Sequence, residues 1–148
     1  MSHISAGVEY GLHCLLYLSG PPTGGTEASV RDLAELQGLS VEFVAKLFTK
    51  LRKAGLTEAT EGKNGGFRLA RPADRISVLE VVEAIDGPKA LFECREIRGR
   101  CAVFDGEAPR WAMDGVCSIH GVMLEAEERM RQVLSSQTLA DLALRVGA

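Results

Sequence analysis

The chain has 148 residues, a formal net charge of −3 and four cysteines. This length indicates one domain, or one domain with an appendage, and it suffices for a hydrophobic core. No apolar run approaches the roughly 20 residues that cross a bilayer, and no basic region precedes an apolar segment at the N-terminus, so we expect a cytoplasmic protein without a signal peptide. In that compartment, four cysteines indicate metal binding or redox chemistry rather than disulfides.

Residues 4–18 have the apolar spacing of a largely buried helix. Glu9 and His13 lie four residues apart and would share one face of this helix. Cys14 is predicted to be a small hydrophobic side chain of the core. A loop rich in glycine and proline then leads to the next segment.

Residues 28–55 have the pattern of two short helices around a tight turn. Ser29 and Ser40 can cap the two helices, and Gly38 supplies the backbone freedom that ends the first. The predicted buried stripe of the second helix consists of Val41, Val44, Leu47, Phe48 and Leu51. Two short helices around a glycine-containing turn are typical of a helix-turn-helix, whose second helix enters the major groove of DNA.

Residues 56–69 predict a small β-hairpin after these helices. Gly62, Gly65 and Gly66 permit tight turning, and Pro72 discourages further strand pairing. A helix-turn-helix followed by a hairpin is a winged helix. The predicted DNA contacts are Ser40, Val41 and Glu42 near base edges, Lys46, Lys50 and Lys53 at phosphates, and Lys63, Asn64 and Arg68 on the wing.

The local charge supports this interpretation. Residues 40–75 hold eight Lys or Arg against four acids, a balance of +4 in a chain of net charge −3. Contact with phosphates requires such a basic footprint. A helical hairpin with an ordinary solvated charged face is the alternative that these residues alone leave open.

Residues 76–85 predict a further helix, in which Ser77 is the N-cap and Glu80 completes a capping box. Hydrophobic periodicity is lost from residue 89 to residue 120. A segment of that length without secondary structure usually has a function. It contains three of the four cysteines, which suggests a bound inorganic centre in place of a hydrophobic core.

A helix resumes at Val122, with an apolar stripe on one side and charged residues on the other. Because little of the domain remains for this stripe to pack on, we expect it to pair with the same helix of a second copy. Thr138 can cap a short closing helix, with Asp141 three residues on. The predicted organisation is a DNA-binding domain over residues 1–87, a cysteine-bearing loop over 88–120, and dimerisation and C-terminal helices over 121–148.

The spacing of the candidate ligands is Cys94-x6-Cys101-x15-Cys117-x2-His120. Thiolates are soft ligands that suit iron–sulfur clusters, zinc or Cu(I). The close cysteine pairs usual in structural zinc sites are absent, and the wide spacing favours a cluster. His120 and Glu9 are the candidates for a fourth ligand. A zinc site, bare redox thiols and no role at all are the alternatives that spacing leaves open.

Taken together, these stretches resemble the IscR/NsrR-type (Rrf-two) winged-helix transcriptional regulators along nearly the whole chain. The matching stretches are Glu9-Tyr-Gly-Leu12, Leu47-Phe-Thr-Lys-Leu-Arg-Lys-Ala-Gly-Leu56, Gly62-Lys-Asn-Gly-Gly-Phe-Arg-Leu69, Val81-Val-Glu-Ala-Ile-Asp-Gly87, the cysteine loop and Thr138-Leu-Ala-Asp-Leu142. A group within the family, the RsrR-like redox regulators, is similar through Gly7-Val-Glu9, Leu12-His-Cys14 and Phe92-x-Cys94-x-Glu-Ile-Arg98.

The resemblance implies a homodimer that binds a palindromic operator. It also implies a cluster, 2Fe–2S in preference to 4Fe–4S, that senses iron–sulfur status, nitric oxide or redox state. The family's three cysteine ligands fall on Cys94, Cys101 and Cys117.

The resemblance offers two positions for the remaining ligand. The N-terminal carboxylate that NsrR-like members take from the partner subunit falls on Glu9, and the histidine of IscR-like members falls on His120. The histidine ligand of RsrR-like members falls on Gln37, so Cys101 is the candidate that replaces it.

The sequence therefore predicts a mainly α protein with a small β wing, in which a winged helix-turn-helix domain precedes a long dimerisation helix. The predicted function is a homodimeric DNA-binding transcriptional regulator whose operator affinity is modulated by an iron–sulfur cluster. A cluster-free thiol-based or zinc-bound redox-sensing regulator is the alternative. No nucleophile–base pair, phosphate loop or paired acid and base stands out, so we do not expect an enzyme.

Overall fold

The computed structural model of the protein describes residues 3–62, 65–90, 103–104, 106–115 and 117–146. The chain divides into two compact units, unit 1 comprising Met1–Lys89 and Val133–Ala148, and unit 2 comprising Ala90–Gln132. The described residues are mainly helical and include a two-stranded antiparallel sheet, which confirms the predicted fold class. The domain boundaries at residues 87 and 120 stay a prediction.

The described elements follow one another in a simple order. The helices are α1 (Ala6–Leu18), α2 (Val30–Gln37), α3 (Val41–Lys53), α4 (Val78–Asp86), α5 (Arg110–Met113), α6 (Ser118–Ser136) and α7 (Leu139–Val146), with a 3-10 turn at Ala73–Arg75 before α4. The strands β1 (Thr57–Thr60) and β2 (Gly66–Leu69) form the wing, in which Thr57 lies opposite Leu69. Ala28 and Phe67 exchange two main-chain hydrogen bonds of 3.2 and 2.8 Å, which fasten the wing to the start of α2.

The ends of α2 and α3 follow their sequence signals. The Ser29 and Ser40 hydroxyl oxygens accept hydrogen bonds from the backbone N–H of Asp32 and Phe43, at 3.0 and 3.1 Å. Gly38 ends α2 with a φ of 65°, a left-handed conformation that glycine adopts without strain. The predicted helix-turn-helix is therefore present.

The core of unit 1 lies between α1, α3, α4 and the wing. Its largest fully buried side chains include Leu15, Leu33, Phe48, Leu51, Leu56, Ile76 and Leu139. The rings of Phe48 and Phe67 lie 4.8 Å apart between centroids, which packs α3 against the wing. The prediction that Val41 is buried is wrong, because its side chain is 46% exposed. Val41 shares the line of the stripe but stands at its N-terminal end, and burial begins one turn later at Val44.

The last helix returns to unit 1 and docks there. The backbone N–H of Leu139 donates to the Ile76 carbonyl at 3.0 Å, and that of Val78 donates to the Gln137 carbonyl at 2.9 Å. Thr138 opens α7 as predicted, since its hydroxyl accepts from the Asp141 N–H at 3.1 Å. Burial of Leu139 then fixes the helix to the core.

The segment before α6 departs from the prediction in two places. Residues 89–120 are predicted to lack secondary structure, but α5 covers Arg110–Met113, and α6 begins at Ser118 rather than at Val122. Gly121 is a poor helix former, at a cost of roughly 1 kcal/mol relative to alanine. The 19-residue helix absorbs that cost, and the Gly121 N–H donates to the Cys117 carbonyl at 2.8 Å.

Across the described residues, no helix combines the length and apolar character needed to cross a membrane.

Two leucines of α7 give a matched test of the docking of α7 onto the core of unit 1. Leu139 is fully buried, whereas Leu144 is 78% exposed. We expect Leu139→Ala to lower the free energy of unfolding by about 2–5 kcal/mol, because it leaves a cavity in the core. Leu144→Ala should change it by less than about 0.5 kcal/mol. Urea unfolding followed by circular dichroism at one fixed protein concentration measures both, and equal effects would contradict the docking of α7.

Candidate nucleic-acid interface and metal centre

The outer face of α3 and the adjoining cap carry most of the predicted DNA contacts. Every such residue that the structure describes has an exposed side chain, namely Ser40, Val41, Glu42, Lys46, Lys50, Lys53 and Arg68. Lys63 and Asn64 lie outside the described residues. Because the buried stripe holds the opposite face of α3, these side chains are available to a ligand in the solvent.

Two further exposed residues of α3, Phe43 and Arg52, are not among the predicted DNA contacts, although Arg52 is one of the eight basic residues counted above. Phe43 is 36% exposed in the first turn of α3, and its ring meets Tyr10 edge to face at 5.9 Å. Arg52 is exposed near the end of the helix. The clue to Phe43 was its place directly after Val41 and Glu42, and the clue to Arg52 was its charge.

Lys50 has an unexpected partner inside the protein. Its Nζ donates a hydrogen bond to the carbonyl oxygen of Ile85, in the last turn of α4, at 3.1 Å. A simple phosphate contact needs no such partner. Lys50 is exposed like Lys46 and Lys53 on the same helix, and its hydrogen bond to α4 distinguishes it from them.

On the wing, Arg68 is paired across the hairpin. Its Nε lies 2.6 Å from Oε1 of Glu58, the residue directly opposite on β1. The two side chains are 57% and 46% exposed. Exposed ion pairs contribute little to stability, so Arg68 can exchange Glu58 for a phosphate at small cost.

Unit 2 contributes two of the predicted metal ligands. Cys117 directly precedes α6 and His120 lies in its first turn, both half-buried, with the three-residue separation that places side chains side by side on a helix. The N-terminus of a helix favours negative charge, as thiolates and their clusters carry. Cys94 and Cys101 lie outside the described residues.

Unit 1 contributes the predicted carboxylate. Glu9 and His13 are exposed on α1, which confirms that they share a face. They line a cleft of about 400 Å³ together with Gln37 of α2. Within the residues that the structure describes, no three His, Cys, Asp or Glu side chains are grouped to hold a metal ion.

Gln37 occupies the position that the resemblance assigns to a histidine ligand. Its Nε2 donates to the Cys14 sulfur at 3.0 Å. Its Oε1 is buried and has no hydrogen-bond partner among the described residues. The amide therefore ties α2 to α1 through Cys14.

Cys14 is a core residue, as predicted. It is fully buried, and burial raises the pKa of its thiol to about 11, although the hydrogen bond from Gln37 acts in the opposite direction. At pH 8 only about one in a thousand Cys14 side chains would be the reactive thiolate. Cys14 is therefore an inert thiol in the folded protein.

Thiol titration tests this contrast. In a Cys94→Ser/Cys101→Ser variant, only Cys14 and Cys117 remain. With a disulfide reagent at pH 8 we expect one thiol per chain to react in the native protein and a second only on unfolding. Further replacement of Cys117 by Ser should remove the native reaction. Rapid native reaction of two thiols would contradict the burial of Cys14.

The comparisons of the sequence with known proteins converge. The Rrf2 family model, described as "Iron-dependent Transcriptional regulator", matches residues 4–145. The chain is 38% identical over 136 residues to protein rrf2 of Nitratidesulfovibrio vulgaris, covering 90% of this chain and 82% of that protein. It is 32% identical over 141 residues to the HTH-type transcriptional regulator NsrR of Shouchella clausii, covering 95% and 88%.

Solved structures show the same similarity. CymR, the global cysteine regulator of B. subtilis, superposes with a TM-score of 0.73 at 25% identity, covering 98% of each chain. IscR of T. potens superposes with a TM-score of 0.68 at 26% identity, covering 99% of this chain and 89% of that one.

Proposed function

Because this chain belongs to the Rrf2 family of transcriptional regulators, we propose that it is a homodimer that binds a palindromic DNA operator in the cytoplasm and whose affinity is set by an iron–sulfur cluster. The observation that carries the proposal is the winged helix of unit 1, in which α3 is buried on one face and exposes basic side chains on the other. That arrangement is suited to a duplex of phosphates and base edges.

In the proposed complex, the N-terminal end of α3 enters the major groove. The Ser40 oxygen accepts the cap from Phe43, so its hydroxyl proton is left to donate to a base or phosphate. Val41 offers an apolar contact to a thymine methyl, and Glu42 can accept from a cytosine amino group. Lys46 and Lys53 approach phosphates, while Lys63, Asn64 and Arg68 bring the wing to the neighbouring backbone.

The proposed dimer uses α6. This helix exposes large apolar side chains that include Ile119, Val122 and Val133, at 58%, 63% and 62%. A second copy of the same helix would cover such residues in a two-fold interface. Two recognition helices related by that symmetry match the two half-sites of a palindrome.

The donor set suits the proposed cluster. Cys117 supplies a soft thiolate at a helix N-terminus, Cys94 and Cys101 would supply two more, and Glu9 of a second copy or His120 would complete the ligands. The RsrR-like stretches favour 2Fe–2S over 4Fe–4S. Such a group, when bound, supplies one-electron redox chemistry and reactivity toward nitric oxide.

The residues of the chain carry the proposed response. A cluster bound by the three thiolates would restrain the cysteine-bearing segment, and loss of the cluster would remove that restraint. If the segment contacts the first helix of a second copy, its release changes the separation of the two recognition helices. The change is a population shift between two dimer geometries, for which a few kcal/mol of differential stability is enough.

A thiol-based or zinc-bound regulator without a cluster is the second candidate. The structural similarity to CymR supports it. Cys117 is half-buried rather than enclosed, so its thiol can exchange partners. In this alternative, a transient disulfide or a zinc ion restrains the same segment.

Colour tests the cluster directly. Protein purified without oxygen should be coloured and contain iron and sulfide, and Cys94→Ala, Cys101→Ala and Cys117→Ala should each abolish the visible absorbance. Cys14→Ala is the matched control and should remain coloured, because that thiol is buried in the core. Retention of colour in all three variants would refute the ligand assignment. Colourless wild-type protein with zinc or redox-active thiols would favour the second candidate.

The ion pair on the wing tests the DNA contact. Arg68→Ala should weaken binding to a palindromic duplex selected from random sequence by this protein, and should reduce the salt slope by about 0.9 for each phosphate that the wing no longer neutralises. Glu58→Gln should tighten binding, because Arg68 loses its competitor. Fluorescence anisotropy over a salt series measures both.

The control for this test is Glu125→Gln, which breaks the exposed Glu125–Arg129 pair on α6. It removes the same charge and should leave the affinity unchanged. Equal effects of the two glutamine variants would mean that net charge alone acts, and an unchanged slope for Arg68→Ala would remove the wing from the interface.

A further inference from the structure

The C-terminal end of α4 joins three helices of unit 1. It ends at Asp86, eight residues before Cys94 in the sequence. The side chains of Ser5, the N-cap of α1, and of Lys50 in α3 both contact its last turn, through separate hydrogen bonds. This junction therefore lies where the chain leaves the DNA-binding unit for the cysteine-bearing segment.

The first connection joins α4 to α1. Both the backbone N–H and the hydroxyl of Ser5 donate to the Asp86 carboxylate, the N–H at 2.9 Å. Ser5 is the N-cap of α1, yet its side chain accepts no capping bond because it is directed to Asp86. The pKa of Asp86 is lowered: burial acts to raise it, but the Ser5 hydrogen bonds and the charges of Lys89 and Lys50 outweigh burial.

The second connection joins α4 to α3. Lys50 Nζ donates to the Ile85 carbonyl at 3.1 Å, which satisfies a carbonyl that the helix end leaves without an intrahelical partner. A cation at a helix C-terminus is also favoured by the helix dipole. Lys50 is thus a cap for α4 that is carried by the recognition helix.

Close packing stiffens the junction. Ile85 is 5% exposed, and a Cβ on Gly11 of α1 would lie 2.5 Å from its Cδ1. A Cβ on Gly7 would lie 3.5 Å from Ile85 Cγ2. Because α1 approaches α4 this closely, a displacement of Ile85 in α4 would also displace α1.

We propose that Lys50 and Asp86 are positioning residues, which transmit the state of the cysteine-bearing segment to the recognition helix and to α1. A pull on the chain after Asp86 moves the last turn of α4. Lys50 carries that movement to α3, and Ser5 carries it to α1, the helix that bears Glu9. The inference rests on the proposed function, because it needs two states of the segment.

The alternative role of Lys50 is a phosphate contact, and the two roles have different consequences. If Lys50 only neutralises a phosphate, its replacement weakens DNA binding by the same factor with and without the cluster, and it lowers the salt slope. If Lys50 instead connects α3 to α4, its replacement makes the position of α3 independent of the state of the cysteine-bearing segment. The ratio of the two dissociation constants then falls toward one.

The experiment measures that ratio in the full-length protein. The dissociation constant for the selected palindromic duplex is measured anaerobically before and after removal of iron and sulfide. Lys50→Met should reduce the ratio by about threefold to tenfold, the scale of one hydrogen bond. Asp86→Ala, which removes the acceptor of both Ser5 hydrogen bonds, should reduce the ratio from the α1 side. Lys50→Arg can still donate a hydrogen bond and should keep the ratio near that of the wild type. Iron content and circular dichroism confirm that each variant is loaded and folded.

Lys46→Met is the matched control, since it removes the same charge one turn earlier on α3. It should weaken both states equally and keep the ratio. If Lys50→Met behaves like Lys46→Met, Lys50 is a phosphate contact and the inference is overturned. An unchanged ratio in Asp86→Ala, which loses the acceptor of both Ser5 bonds, overturns the role of Asp86. A wild-type ratio of one refutes the proposed function itself, which is a separate result.

Discussion

One constraint organises unit 1: α3 must bury one face completely and leave the other to the solvent. Phe48, Leu51 and Val44 are fully buried and hold the helix against α1, α4 and the wing. Burying these side chains contributes on the order of 2 kcal/mol each. The opposite face is then fixed in orientation without contributing to the core, so it can carry charges whose repulsion would be costly elsewhere. A recognition helix benefits from having one buried and one exposed face, because the buried face holds the exposed side chains in position for DNA.

The same packing explains which parts of the wing are strong. Phe67 lies against Phe48 and pairs through its main chain with Ala28, so β2 is held from both sides. Two-stranded hairpins are marginal alone in water. The wing is stable because its base is part of the core, and its exposed ion pair between Glu58 and Arg68 adds little. Its charged residues are therefore available for exchange with a nucleic acid.

Local signals predicted much of this fold and fewer of its long-range contacts. The caps Ser29, Ser40 and Thr138 act within four residues, and sequence spacing reveals them directly. The helix α6 begins four residues before the predicted start at Val122. A glycine such as Gly121 is typical of a helix boundary in sequence, but a long helix tolerates one glycine in its interior. The Lys50–Ile85 bond joins residues 35 positions apart, and no local pattern encodes it. Exposure of Val41 likewise depends on where neighbouring helices end, which periodicity does not show.

Gln37 shows how the cleft beside α1 limits the choice of ligands. A neutral imidazole can bind iron through a ring nitrogen, whereas an amide offers an oxygen that suits harder cations. Here the amide nitrogen is also occupied by Cys14, whose burial keeps that thiol protonated. Turning the amide toward a metal would leave Cys14 without its partner in the core. The position thus serves to join α1 and α2, whereas the exposed donors on this side of the cleft are Glu9 and His13 of α1.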